Sequence, residues 1–429
     1  MKNILTVIGS GSTYTPELID GIIKHKDSLQ FDEIRLMDID DRKLSVVGQL
    51  CQRMIKAAGL ACEVILTKDM DMALKDSRFV VAQIRVGKLP ARVLDESIPL
   101  KYNLIGQETT GIGGFFKALR TIPVMLDIAK RMEKLCPDAF LINFTNPSGI
   151  ITQAISDHSS IRVVGLCNVP VNMVDSICEN LQIDKVDTRI EYVGLNHLSW
   201  ITGIRKNGRE YIEEAIENGI NATPMKNIHA TGFSRECLKA AGGIPCTYME
   251  YYYNREKKLE EQKAAAKTRG EQCMEIEEEL LQIYEDSALH VKPKQLDLRG
   301  GAKYSTAAIN LIDDIANDRA QIHIVGVRNG SILPFLRKDD IIEVACIAGK
   351  DGVTPIPIYR FQNEHIMEYM CTVKAYERHT VKAALTGDDY ESLRALMIHP
   401  LVGDFRAAEN CYHEMKEAHK EYLPLFFRK

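Results

Sequence analysis

Two separate residues and one glycine-rich turn are the parts of this sequence whose types and spacing could do chemistry. The turn, G-S-G-S-T at 9–13, lies between a first apolar run and a first helical segment, whereas Cys167 and His197 each close an apolar, strand-like run. Glycines in such a turn let backbone N–H groups approach a pyrophosphate at a helix N-terminus. A thiol and an imidazole are metal ligands, and by softness alone they favour zinc over manganese. The pattern indicates a nucleotide cofactor and a metal ion.

The glycine-rich turn predicts binding of NAD. It consists of Gly9, Ser10, Gly11, Ser12 and Thr13. The third glycine of the G-x-G-x-x-G pattern is replaced by Tyr14, so the turn alone is a weak signal. The second predicted strand ends near Asp38, whose carboxylate could bond the ribose hydroxyls of NAD. The charged residues at 40–42 follow, so the choice between NAD and NADP stays open. Asp38 could also be only a loop acid or a helix cap, without a ligand.

Six apolar runs in the first 165 residues predict the strands of a parallel sheet. They occupy 4–8, 33–39, 62–66, 79–86, 139–144 and 163–166, and segments with helical spacing, such as 16–25 and 42–58, alternate with them. Continuous apolar strands that alternate with helices are typical of a doubly wound α/β sheet of Rossmann type. We therefore predict an NAD-binding domain over residues 1–165.

The remaining residues, 166–429, have shorter strands and long helices. Strands are predicted at 190–194 and 199–204 and as a pair at 321–325 and 341–348, and helices at 248–286, 364–385 and from 390 onward. Two domains are the usual arrangement for a chain of 429 residues. The second domain is therefore predicted to be α+β and to carry the metal and the substrate.

The composition is that of an ordinary globular protein and argues against several classes of function. The hydrophobic fraction is 45%, and the net charge of −5 arises from interspersed signs, so no nucleic-acid partner is expected. No apolar run approaches the length of about 20 residues that a membrane span needs, and no signal peptide precedes the first strand. The 11 cysteines are scattered without a C-x-x-C pair, which is typical of reduced thiols. We expect a cytoplasmic protein without a membrane partner.

Six sequence blocks, spread in order over nearly the whole chain, carry a family resemblance. They are V-I-G-S-G-S-T-Y-T-P-E-L at 7–18, G-Q-E-T-T-G-I-G-G at 106–114, N-F-T-N-P-S-G at 143–149, G-L-C-N-V-P at 165–170, Y-V-G-L-N-H-L-S at 192–199 and R-G-G-A-K-Y-S-T-A-A at 299–308. In these blocks the chain resembles glycoside hydrolase family 4 and, within it, the 6-phospho-β-glucosidase subgroup. The resemblance implies a fold similar to that of lactate and malate dehydrogenases.

The resemblance also implies two cofactors and a mechanism that differs from that of most glycosidases, which use two carboxylates. NAD would oxidise C3 of the sugar, and the resulting ketone would acidify the proton on C2. A divalent cation, usually Mn²⁺, would be held by Cys167 and His197 and by O2 and O3 of the sugar, and would stabilise the enolate as a Lewis acid. Elimination, addition of water and return of the hydride would release glucose 6-phosphate from, for example, cellobiose 6-phosphate, and NAD would not be consumed.

By its position in the sequence, Tyr248 is implied as the base that removes the C2 proton. The neighbouring tyrosines at 251–253 leave that choice open among four phenols. A tyrosine whose pKa lies near the usual value of about 10 is a poor base at neutral pH. Positive charge nearby would have to lower the pKa.

Four further residues match positions that contact the substrate in the family. Arg92 and Arg299 are the candidates for binding the 6-phosphate, because a guanidinium fork suits a phosphate. Asn146 matches an asparagine that hydrogen bonds the sugar. Asn168 stands where related α-specific members carry an acid directly after the metal-binding cysteine, so the acid that protonates the leaving group stays unassigned.

Two other functions fit parts of the pattern. An NAD-dependent 2-hydroxy-acid dehydrogenase would accumulate NADH stoichiometrically and need no metal, and the pair of Cys167 and His197 argues against it. A non-catalytic NAD sensor is disfavoured because Tyr248 and Arg299 accompany that pair. By resemblance we expect a homodimer or homotetramer that acts on a phosphorylated disaccharide or aryl glycoside, with gluco- or galacto-configuration left open.

Overall fold

Thirteen strands form one continuous mixed sheet in the computed structural model, which describes residues 2–223, 232–299, 304–359 and 361–428. Most of the sequence block at 299–308 is covered, but residues 300–303 lie outside the described ranges. The strands are β1 (Ile4–Ile8), β2 (Glu33–Met37), β3 (Glu63–Thr67), β4 (Phe79–Ala82), β5 (Phe140–Asn143), β6 (Arg162–Gly165), β7 (Arg189–Leu195), β8 (Leu198–Lys206), β9 (Arg209–Glu210), β10 (Ile244–Pro245), β11 (Gln321–Arg328), β12 (Ile341–Gly349) and β13 (Gly352–Pro355).

Helices connect the strands in both halves of the chain. In chain order they are α1 (Thr15–Lys24), α2 (Asp41–Ala57), α3 (Met70–Leu74), α4 (Lys88–Ser97), α5 (Gly111–Leu135), α6 (Ser148–His158), α7 (Val169–Asn180), α8 (Ile212–Glu217), α9 (Arg235–Ala241), α10 (Glu250–Tyr253), α11 (Arg255–Ala264), α12 (Arg269–Tyr284), α13 (Tyr304–Ala316), α14 (Glu364–Thr386), α15 (Asp389–Ile398) and α16 (Phe405–Ala418).

The first six strands form the parallel part of the sheet, in the order β3-β2-β1-β4-β5-β6. Every residue of β1, β4 and β5 is buried, as the continuous apolar runs predict for strands covered on both faces. This strand order is that of a dinucleotide-binding Rossmann fold, whose ligands bind beyond the carboxyl ends of the strands. The predicted fold class is confirmed.

The parallel strands continue into an antiparallel half without a break in the sheet. β6 pairs with β11 at a single position, Gly165 opposite Gly326, and the order then runs β11-β12-β7-β8-β10. A side chain on Gly326 would place its Cβ 3.3 Å from the Cα of Gly165, which is closer than ordinary van der Waals contact. The two halves therefore share one sheet, and the division of the chain into domains after residue 165 stays a prediction.

The long helix predicted over 248–286 is wrong in detail, because this segment forms three helices, α10, α11 and α12. Asn254 interrupts the first two with non-helical dihedral angles, φ −121° and ψ 37°. Thr268 then begins α12 with a capping box, in which its side chain and that of Glu271 satisfy each other's backbone N–H groups. A local cap therefore outweighs the helical propensity of this charged segment.

The composition predicts that the chain has no membrane span and that its cysteines are reduced. Across the described ranges, no helix combines the length and the apolar character needed to cross a membrane. All 11 cysteines are described, and each one is a free thiol.

Glu391 in α15 should make the stability of the protein depend on pH in acid. Hydrogen bonds from Lys382, His379 and Arg394 lower the pKa of this buried carboxyl from its ordinary value of 4.5 to about 2. Because the pKa is lower in the folded state, the stabilisation is fully present above pH 4.5 and is lost as the pH falls towards 2. We expect Glu391→Gln to lower the free energy of unfolding by about 1 to 2 kcal/mol at pH 7, since the partners are partly exposed and screened.

Urea unfolding of the native protein and the Glu391→Gln variant at several pH values between 7 and 3 would measure this effect. The difference between the two proteins should shrink in the most acid samples. A difference that stays constant over the whole range would contradict the assignment.

Candidate active site

The turn at 9–13 joins β1 to α1 at the carboxyl end of the parallel strands, where the Rossmann fold binds its ligands. Gly9 has a φ of +83°, and its N–H and that of Ser10 both donate to the carbonyl of Met37 at the end of β2. The hydroxyl oxygens of Ser10 and Thr13 are buried and have no hydrogen-bond partner among the described residues. The turn is therefore shaped by its neighbours, while two of its polar groups stay available to a ligand.

Asp38 lies directly after β2 and contacts the same turn. One carboxylate oxygen accepts a hydrogen bond of 2.7 Å from the N–H of Gly11, and the other accepts one of 2.9 Å from the N–H of Asp40. A Cβ on Gly11 would lie 2.9 Å from the Asp38 carboxyl carbon. The structure therefore brings all six predicted cofactor-binding residues together, with Asp38 at the edge of the turn.

A side chain at Gly9 should destabilise the protein more than one at a glycine of similar conformation. An alanine there would keep the positive φ and would also place its Cβ 2.9 Å from the carbonyl oxygen of Gln83. We expect Gly9→Ala to lower the free energy of unfolding by about 2 to 4 kcal/mol, from backbone strain and this contact together. Gly59 is the matched control, since its φ is +69° and nothing lies within 4 Å of an added Cβ.

Gly59→Ala should lower the free energy of unfolding by only about 1 to 2 kcal/mol, the cost of the conformation alone. Equal losses in the two variants, measured by urea unfolding, would show that the close approach to Gln83 is unimportant.

Cys167 and His197 come together from the two halves of the sheet. Cys167 lies between β6 and α7, and His197 is the second residue of the two-residue turn between β7 and β8. The Cys167 Sγ and His197 Nε2 atoms are 3.5 Å apart, and both side chains are buried. His197 has a φ of +66°, which is uncommon for any residue other than glycine and is often found at functional sites.

The two side chains carry no charge in the structure as it stands. Burial raises the pKa of the Cys167 thiol, and burial together with the charge of Lys117 lowers the pKa of His197 to about 3. A neutral imidazole is the form that binds metals. A thiol loses its proton when it binds a cation.

The spacing and chemistry of this pair fit a divalent cation. The separation of 3.5 Å between the Cys167 sulfur and the His197 Nε2 atom would let one cation contact both atoms. The Nδ1 atom on the other side of the ring is buried and has no hydrogen-bond partner among the described residues. Nowhere in the described ranges do three or more His, Cys, Asp or Glu side chains gather as a metal site. A cation held by two protein ligands would keep positions open for a substrate.

Tyr248 contacts the imidazole directly. The two rings are stacked, with centroids 3.7 Å apart and planes inclined by 12°. Burial raises the pKa of this phenol well above its usual value. Two of the competing tyrosines have partners elsewhere, because Tyr252 bonds Thr110 and Tyr253 bonds His365. Tyr248 is thus the phenol placed beside the thiol–imidazole pair.

A buried cluster of charges lies next to this pair. Glu108 forms an ion pair with Arg92 at 3.0 Å and accepts hydrogen bonds from Lys117 at 2.6 Å and from Arg85. Although burial alone would raise it, the pKa of Glu108 lies well below its usual value because three cations surround the carboxylate. Burial and the charge of Arg85 lower the pKa of Lys117 to about 7. The cluster carries more positive than negative charge, which favours an anionic ligand.

The second predicted arginine lies on the cofactor side. The Arg299 guanidinium is 5.5 Å from the ring centroid of Tyr14, and its Nη2 atom is 3.6 Å from Glu277. Its Nε atom is buried without a hydrogen-bond partner among the described residues. Arg92 also bonds Glu96 at 2.8 Å, so Arg92 is compensated by two carboxylates and Arg299 by one.

The two asparagines follow β5 and β6. Asn146 has a buried Oδ1 atom without a partner in the described ranges. Asn168 is buried, immediately precedes α7, and has its Oδ1 4.0 Å from the Cys167 sulfur. Both residues follow parallel strands of the sheet, as the cofactor turn does.

Sequence reasoning assigned no role to four charged or polar residues of this region: Arg85, Lys117, Asn196 and Glu343. Lys117 and Arg85 enter through their contacts with Glu108, which cannot be read from spacing along the chain. Asn196 precedes His197 and donates a hydrogen bond of 3.1 Å to Glu343. A signal existed for Glu343, since it is the one acid within the apolar run of β12, I-I-E-V-A-C-I-A-G.

This fold and site belong to a known class of protein. Family 4 glycosyl hydrolase matches residues 4–183, and its C-terminal domain matches residues 192–402. The chain is 43% identical to a probable 6-phospho-beta-glucosidase of Bacillus subtilis, over 99% of this chain and 98% of that protein. The chain therefore belongs to glycosyl hydrolase family 4.

Solved structures agree with the family. The 6-phospho-beta glucosidase from Thermotoga maritima with NAD and glucose-6-phosphate matches with a TM-score of 0.91 and 34% identity, over 98% of this chain and 99% of that one. The same enzyme with manganese, NAD+ and glucose-6-phosphate matches with a TM-score of 0.88 and 33% identity, over the same shares. Lactate dehydrogenase from Eimeria maxima, 14% identical over 90% of this chain and 96% of that one, has a TM-score of 0.55 and shares the fold.

Proposed function

We propose that this protein hydrolyses 6-phospho-β-glucosides, such as cellobiose 6-phosphate, to glucose 6-phosphate, and that it uses NAD and a divalent cation such as Mn²⁺. The observation that carries the proposal is the contact of Cys167, His197 and Tyr248 in a chain of family 4. The relatives' names and the ligands named for the Thermotoga structures support the same substrate and cofactors.

The chain's residues divide the work between holding the cofactors and moving a proton. When bound, NAD supplies a reversible hydride acceptor for C3 of the sugar, and the cation supplies a Lewis acid. The turn at 9–13 and Asp38 hold the dinucleotide, and Cys167 and His197 hold the cation. Tyr248 removes the proton from C2. Burial raises the pKa of this phenol, and a cation held by His197, on which the phenol ring stacks, would lower it.

The substrate is oriented by two arginines and two asparagines of the candidate site. Arg299 binds the 6-phosphate, because its unsatisfied Nε atom can donate to a phosphate oxygen. Arg92 contributes through the positive cluster around Glu108. Asn146 and Asn168 hydrogen bond the sugar hydroxyls, and the buried Oδ1 of Asn146 has a free acceptor for this purpose.

A substrate panel with the purified protein tests the proposal. Phosphorylated and unphosphorylated aryl β-glucosides and β-galactosides would be supplied with NAD and Mn²⁺, and each cofactor would be omitted in turn. We expect cleavage of phosphorylated β-glucosides alone, strict dependence on both cofactors, and no net NADH. Stoichiometric NADH from a 2-hydroxy acid would instead support a dehydrogenase.

We also propose a cytoplasmic location and a homo-oligomer. Free thiols at all 11 cysteines favour a reducing compartment. The cross-strand pair of Ile322 and Ile347 is 54% and 43% exposed, on a face of the antiparallel half that could bury these side chains against a second subunit. Sedimentation velocity of the native protein and of Ile322→Asp would test this surface.

A further inference from the structure

One side chain, that of Asn196, connects a candidate metal ligand to the neighbouring strand β12. Asn196 precedes His197 directly in the chain. Its Nδ2 atom donates a hydrogen bond of 3.1 Å to Oε1 of Glu343 on β12. A movement of Asn196 would therefore displace His197.

Glu343 is a buried carboxylate with both oxygens in use. It lies opposite Gly194 in the pairing of β12 with β7. Its Oε2 atom accepts a hydrogen bond of 3.0 Å from the hydroxyl of Tyr192, which also lies 2.6 Å from the Ser199 hydroxyl. Glu343 thus connects β12 to the hairpin of β7 and β8 through two hydrogen bonds, one from Tyr192 and one from the Asn196 side chain.

The turn between β7 and β8 needs a hydrogen bond of this kind to hold its conformation. Leu195 pairs with Leu198, so Asn196 and His197 are the only two residues of the turn. His197 holds a positive φ of 66°, a conformation that surrounding contacts must maintain in a residue with a side chain. Space beside Asn196 is restricted by Gly149 of α6, where an added Cβ would lie 3.2 Å from the Cβ of Asn196.

We propose that Glu343 is a positioning residue that sets the geometry of the metal ligand His197 through Asn196. The carboxylate accepts from the Asn196 amide, this hydrogen bond holds the turn, and the held turn presents the His197 ring to the Cys167 sulfur. Residues outside the coordination sphere commonly tune metal affinity in this way. The inference rests on the proposed function, because it needs Cys167 and His197 to hold the cation.

The test is the affinity of the NAD-loaded protein for Mn²⁺, followed through the electron paramagnetic resonance signal of free Mn²⁺. Glu343→Leu removes both acceptor oxygens, and we expect Mn²⁺ to bind about 10- to 100-fold more weakly. Glu343→Gln keeps an acceptor for Asn196 and can donate to Tyr192, so its affinity should stay close to that of the native protein. Rescue by glutamine would identify the hydrogen bond, not the charge, as the cause.

A double-mutant cycle separates positioning through Asn196 from general damage. Asn196→Ala should weaken Mn²⁺ binding about as much as Glu343→Leu, and the double variant should lose little more, because both act on one path. Glu391→Leu is the matched control, since it removes a remote buried carboxylate. It should lower the melting temperature without changing the affinity for Mn²⁺.

Cobalt provides a readout that a purely structural role would not move. In the Co²⁺-loaded native protein, absorption from thiolate-to-cobalt charge transfer should be present, and it should be weakened in Glu343→Leu and restored in Glu343→Gln. Additive losses in the double variant, or equal losses for glutamine and leucine, would overturn the inference. So would native Mn²⁺ affinity in Glu343→Leu while Cys167→Ala fails to bind. If Cys167→Ala itself binds Mn²⁺ normally, the proposed metal site fails, and the inference fails with it.

Discussion

Replacing Cys167 with alanine should lower kcat/KM for 6-phospho-β-glucosides by about a thousandfold or more. The substitution removes one of the two protein ligands that lie 3.5 Å apart and leaves His197 alone. Lewis-acid stabilisation of the developing enolate is worth several kcal/mol, and about 4 kcal/mol corresponds to a thousandfold in rate. Steady-state kinetics with saturating NAD, together with the bound Mn²⁺ measured after desalting, would check both parts of the expectation.

A second buried thiol provides the control for this variant. Cys51 lies in α2, is as fully buried as Cys167, and belongs to the core of the nucleotide-binding half. Cys51→Ala should lose stability through a small cavity but retain the Mn²⁺ content and most of the activity. Full activity of Cys167→Ala without bound metal would refute the role of the thiol as a ligand.

Tyr248→Phe should lower kcat by about 10² to 10⁴, the usual contribution of a general base. Phenylalanine keeps the ring that stacks on His197 and removes only the hydroxyl. Affinity for Mn²⁺ should therefore stay close to native, and the loss should fall on kcat and not on KM. In D₂O, the native enzyme should place deuterium at C2 of glucose 6-phosphate, and the variant should do so more slowly by the same factor.

The neighbouring phenols provide the comparison. Tyr251 has its ring 6.3 Å from that of Tyr248, and the hydroxyl of Tyr252 bonds Thr110. Phenylalanine at either position should change kcat much less than at Tyr248. If Tyr252→Phe showed the large loss and Tyr248→Phe did not, the base would have to be reassigned.

Local periodicity accounts for most of the fold that could be predicted. The apolar runs placed β1 to β6 within a few residues, because strands buried on both faces are continuously hydrophobic. The hairpin and the pair of β11 and β12 were predicted on the same grounds. The pairing of β6 with β11 could not be predicted from periodicity, because it joins Gly165 and Gly326, 161 positions apart, at a single position. Helix ends set by Asn254 and Thr268 depend on caps that a periodicity count ignores.

Part of the candidate site could likewise be predicted from the sequence, and part could not. Motifs pointed to Cys167, His197 and the turn at 9–13, and the structure places the first two in contact. Glu343 can be interpreted only through Asn196, a partner 147 positions away, and Lys117 only through Glu108, nine positions away on the other side of a helix start. A charged residue in an apolar strand is a usable sign of such a partner, but the sequence does not say which residue it meets.

The pairing of Gly165 with Gly326 has a consequence for chimaeras made from this enzyme and its relatives. Because Gly165 and Gly326 meet where β6 joins β11, exchanging the segment before residue 166 would transplant one side of a backbone contact and retain the other. An alanine at 326 would place its Cβ 3.3 Å from the Cα of Gly165, and an alanine at 165 would place its Cβ 2.7 Å from the Thr152 hydroxyl of α6, so either would strain this junction. Chimaeras of this family should therefore inherit both glycines from their parents, wherever the crossover is made.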